Sequence, residues 1–115
     1  MTKPIVGLIT ALAACVGTQG AADPVAGCYV FGHEVNVFKP AGTDSAFWVT
    51  GSQDVLQQLR TTHDSLTSRP YEAIFARVIA QPSSRTPDGF AQDYDGLLEV
   101  RRVVELRRAV PGECP

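Results

Sequence analysis

The residues of this chain whose types could do chemistry are three cysteines, two histidine–acid pairs, a tryptophan and some clustered arginines. Cys15 ends the run Leu12-Ala13-Ala14-Cys15, an aliphatic residue and two small ones before a thiol. This is the pattern of a bacterial lipobox, in which the cysteine takes a diacylglycerol and becomes the new N-terminus. His33-Glu34 and His63-Asp64 each set an imidazole beside a carboxylate. Such donors suit zinc or copper(II). The spacing carries no ligand signature, however, so no metal is expected and these four residues form only an alternative metal set. Met1 would be lost with a leader, which rules out a methionine-rich copper(I) site. Ser45, Ser52 and several aspartates are present without a Gly-x-Ser-x-Gly elbow, so no catalytic residue and no enzyme activity are expected.

The elements that position these groups begin with the leader. Lys3 gives a basic start, and the run from Ile5 to Ala14 is apolar apart from Gly7 and Thr10. It is too short for a membrane span, which takes about 20 apolar residues. A basic start, a short apolar run and a small-residue end make residues 1–14 a signal peptide. A cut after Ala22 with an incidental Cys15 is the rival reading. Two or three acyl chains at Cys15 would hold the protein on a membrane, where one chain binds only marginally. Val16 stands where an aspartate would favour inner-membrane retention, so the expected address is the outer membrane. Residues 15–26 are Gly-, Ala- and Thr-rich without hydrophobic periodicity and read as a lipidated tether. The folded domain is expected over 27–115.

An exported address puts the remaining cysteines in an oxidising compartment. Cys28 and Cys114 are then an even pair. A bridge closing so long a loop would stabilise the fold by roughly 4 kcal/mol in the chain-entropy account. Two free or buried thiols are the alternative.

Within the domain, Tyr29 to Phe38 is rich in β-branched and aromatic residues, with Tyr29, Phe31, Val35 and Val37 on one parity. Gly32 in its interior marks a bulge or sharp bend. Ala46 to Thr50 is a short second strand. Ser52 offers an N-cap to a helix from Gln53 to about Leu66, with Asp54 in the first turn and Val55, Leu56, Leu59 and Leu66 along one stripe. Tyr71 to Ala80 has the composition of a central strand. Asp95-Gly96 is a hairpin-type dipeptide, so Phe90–Tyr94 and Leu97–Leu106 are expected as the strands flanking it. A helix over Leu97–Arg108 is the alternative, because Leu98, Val100, Val103, Val104 and Leu106 alternate imperfectly. The expected fold is mostly β: a small, partly open, antiparallel OB-like barrel with one helix. Its helix falls between the third and fourth strands if the first segment bends at Gly32 and counts twice.

Gly27-x-Tyr29-x-x-Gly32-His33-Glu34-Val35-x-x-Phe38-x-Pro40, followed by Phe47-Trp48-Val49, resembles small envelope lipoproteins related to the NlpE family. Tyr71-x-Ala73-x-Phe75-x-Arg77-Val78 and Tyr94-Asp95-Gly96-Leu97-Leu98-x-Val100 are similar to the OB-type domain of that family. The resemblance covers Gly27 to Leu106 and implies an outer-membrane lipoprotein tied to envelope stress or copper tolerance. The chain departs from the family in lacking a Cys-x-x-Cys and in carrying Ala41 after Pro40, where relatives often have a cysteine.

With 10 basic and 12 acidic residues the chain is not a polybasic nucleic-acid binder. Arg101-Arg102 and Arg107-Arg108 are diluted by Glu99 and Glu105 and read first as solvated strand positions. Trp48, Arg101 and Arg102 form the candidate face for a ligand or partner, an envelope protein or an anionic surface component. No cofactor is expected beyond the acyl groups on Cys15. Mass spectrometry of detergent-extracted protein should find a mature N-terminus at Cys15 carrying acyl mass. A lipid-free chain beginning at Asp23 would end the anchoring claim.

Overall fold

A computed structural model describes residues 22–115; the expected leader, Cys15 and the first residues of the expected tether lie outside the described residues. In order, the elements are β1 (Val25–Gly32), β2 (Val35–Pro40), β3 (Phe47–Gly51), α1 (Gln53–Leu66), β4 (Ala73–Pro82), a 3-10 helix (Gly89–Asp93) and β5 (Leu97–Arg108). The strands form a closed barrel in the order β1-β2-β3-β5-β4, with β4 returning antiparallel to β1. Over the described residues this is the expected mostly-β, OB-like barrel with one α-helix. It is closed, and β3 with β5 is a parallel pair.

The bend expected at Gly32 falls just beyond it, for Gly32 itself stays in the ladder opposite Val35. The segment from Tyr29 to Phe38 is two strands, joined by a turn at His33-Glu34 with Glu34 in the left-handed region at φ 61°. β1 also begins at Val25, within the stretch whose composition suggested a tether, because Val25 and Ala26 find ladder partners in Val78 and Arg77.

Alternation then fills the barrel. Tyr29 faces Phe38 on one side and Ile74 on the other, and Phe38 faces Phe47. These rings pack with Val49, Ala76, Val78, Leu98 and Val100 into one core. Helix α1 starts where Ser52 Oγ accepts a hydrogen bond from the Val55 amide at 3.2 Å. It lies against β5, β1 and β3 and delivers Leu59 into the core, with Val55, Leu56 and Leu66 at its margin.

The imperfect alternation of the last segment has a mechanical cause. Arg77 pairs with Glu105 but Val78 with Val103, and Ile79 pairs with Arg102 but Ala80 with Val100. Each step passes over one residue of β5, Val104 and then Arg101. Such extra residues are β-bulges, which bend a strand and sharpen its twist. Leu98, Val100, Val103 and Leu106 therefore all turn inward from a strand, although their spacing imitates a helix.

The expected Phe90–Tyr94 strand and Asp95-Gly96 hairpin are not formed. That stretch holds the 3-10 helix, closed by Ala91 N–H to Asp88 O at 3.1 Å and Tyr94 N–H to Ala91 O at 3.2 Å. Asp95-Gly96 instead ties the chain to β3. The Asp95 amide donates to Ala46 O at 2.8 Å, its carboxylate accepts from the Ala46 amide at 2.7 Å, and Trp48 N–H donates to Gly96 O at 2.9 Å. A parallel neighbour was recruited where local sequence favoured an antiparallel one, because β5 must pair on both sides for the barrel to close.

Tyr29 has no solvent exposure, and its hydroxyl donates to Asn36 Oδ1 at 2.7 Å. Burial pushes this phenol well above its usual value. The unfolded chain therefore loses the Tyr29 proton near pH 10 while the folded chain keeps it, so the stability present below pH 10 falls as pH rises above it. Urea unfolding between pH 8 and about pH 11 should show this decline, and Tyr29→Phe should flatten it. The same substitution should cost about 1 kcal/mol at neutral pH through the lost hydrogen bond. An unchanged alkaline slope would contradict the assignment.

Candidate functional site

The ladder pairings fix which side chains face outward. One outward row crosses the barrel as Ala73 on β4, Val30 on β1, Val37 on β2, Trp48 on β3 and Leu97 on β5. A second runs from Lys39 on β2 through Cys28 on β1 and Phe75 on β4 to Arg107 on β5. Two segments outside the strands build on these rows.

The first is the C-terminal stretch after β5. Cys114 is bonded to Cys28, with Cα atoms 5.8 Å apart although the two lie 86 positions apart in the chain. The expected disulfide is present in the structure, joining the tail to the outside of β1. Beside it the Arg107 guanidinium lies 3.9 Å from the centroid of the Phe75 ring. Its Nη1 and Nη2 donate to Glu113 Oε1 and Oε2 at 2.9 and 2.8 Å. Glu113 Oε1 also accepts from the Val110 amide at 3.0 Å. The hydrogen bond from Arg107, with that from Val110, holds the Glu113 carboxyl below the usual carboxylate range. The same pairing pushes Arg107 up.

The second segment is the link from α1 to β4. Tyr71 adopts φ 66° and donates its amide to Phe31 O at 3.1 Å and its hydroxyl to His33 O at 3.1 Å. Its ring lies on Gly32, where an added Cβ would come within 2.3 Å of the ring. Gly32 thus serves two needs at once, ending β1 and making room for Tyr71. Half of Tyr71 stays exposed.

Tail and link enclose a cleft of about 320 Å³ along the outside of β1. Val30, Ala73 and the Cys28–Cys114 bridge line it, with Tyr71, the turn from Lys39 to Thr43, and Glu113 and Pro115 of the tail. Apart from the two cysteines, none of these residues was singled out in the sequence as a site. The local signals were Gly32 within a strand-like run and an even pair of cysteines.

The other sequence candidates fall elsewhere. Trp48 faces outward on β3, half-buried, with its ring 5.7 Å from that of Tyr94. Arg101 and Arg102 are exposed on β5. Arg101 pairs with Glu99 at 3.3 Å, and Arg102 sits opposite Ile79. Arg77 and Glu105 complete this alternating surface with a 3.0 Å ion pair. The structure does not bring Trp48 and the two arginines to one point of the ladder, since Trp48 pairs with Leu97.

His33 is 84 % exposed at the β1–β2 turn, its Nε2 3.0 Å from Glu34 Oε1. His63 is buried on the inner side of α1, edge-on to Tyr29 and Phe31. Its Nε2 meets Glu72 O, so that nitrogen carries the proton, since a carbonyl can only accept. Among the described residues its Nδ1 has no hydrogen-bond partner, and it lies 3.9 Å from the exposed Asp64 carboxylate. Among the described residues no three His, Cys, Asp or Glu side chains gather as metal ligands. His33, Glu34, His63 and Asp64 are not one set.

The chain matches no protein-family model, no curated protein and no solved structure.

The Arg107–Glu113 pair supplies the test for this region. A carboxyl held low in the folded state stabilises above its ordinary value, and that stability is lost as pH falls through the lowered one. Carboxyl-carbon NMR should place the Glu113 midpoint below that of an unperturbed glutamate, and Arg107→Gln should raise it towards the ordinary range, with the Val110 hydrogen bond still in place. A midpoint that Arg107→Gln leaves unmoved would remove the pair as the cause.

Proposed function

We propose that this chain is a non-catalytic binding or sensing module, held at the outer membrane by lipid on Cys15, which engages an envelope component through the cleft outside β1. One observation carries the reading: two segments that contribute nothing to the barrel core are fastened over its outer face and leave a concavity between them. The tail is fixed by the Cys28–Cys114 bridge and the Arg107–Glu113 pair, and the α1–β4 link by the Tyr71 hydrogen bonds. Preformed concave sites on rigid scaffolds are the usual places for ligands. The lipobox and the resemblance to NlpE-related lipoproteins support the envelope address, and a tethered domain presenting one face suits recognition there. Fold by itself is silent on the partner, because barrels of this shape serve many functions.

Photo-crosslinking in intact cells tests this with the lipidated chain. A photoreactive residue at Lys39 or Thr43, on the cleft rim, should give a discrete adduct. The same residue at Gln57, exposed on α1, should not. No adduct at either rim position, or equal adducts from Gln57, would overturn the reading.

A further inference from the structure

We draw no further inference here: the strongest candidate, the outward aromatic pair of Trp48 on β3 and Tyr94 in the segment before β5, is a half-buried apolar patch, and nothing in the structure shows what covers it.

Discussion

Closure of the barrel depends on β5 serving two neighbours at once. Its first residues, Leu97 to Val100, pair with β3 in parallel, and from Leu98 onward the strand also pairs with β4 in antiparallel. Its remainder follows β4 alone. A straight strand could not follow both partners around so tight a barrel, and the extra residues Arg101 and Val104 supply the bends. At the crossing Gly51 is the tightest point, since a Cβ there would lie 2.8 Å from Val100 O. With β5 in place the core has its last wall, and α1 has a surface to rest on.

The same strand determines where the tail begins. β5 ends opposite Ile74, beside the first residues of β4, and β4 pairs with β1 at that level. The residues after Arg108 therefore leave the barrel within reach of Cys28. A bond between residues so far apart in sequence becomes a short crossing over two strands, and the Arg107–Glu113 pair aligns the tail along it. The outer cleft is thus a product of barrel closure: a strand that ended elsewhere would leave Cys28 without its partner and β1 without its wall.

At the inner side of α1 the constraint is polar. His63 is buried because helical periodicity puts it one turn after Leu59, on the stripe that faces the barrel. Its ring fills the space against Tyr29 and Phe31, and Nε2 finds the Glu72 carbonyl of the link that also carries Tyr71. One hydrogen bond therefore joins the helix to the segment bounding the cleft. In the sequence, His63-Asp64 resembles His33-Glu34. In the fold one histidine is a packing residue and the other a solvated turn residue, because helix phase buries the first and a left-handed turn exposes the second.

Local physics made much of this legible in the residues alone. Ser52 and the apolar stripe behind it determine a helix from Gln53 to Leu66, since a cap and a 3.6-residue period are properties of one segment. Gly32 announces a break in the first strand-like run, and Cys28 with Cys114 announces a bridge if the first residues are read as an export leader. The 3-10 helix, the parallel pairing of β5 and the inward turn of Val103 and Leu106 were decided only in three dimensions, because each answers to the closure of the sheet rather than to its own sequence. The cleft belongs with these. Tyr71, Lys39 and Glu113 carry no shared motif, and they border one cavity only because β1 separates two segments that tertiary contacts hold in place.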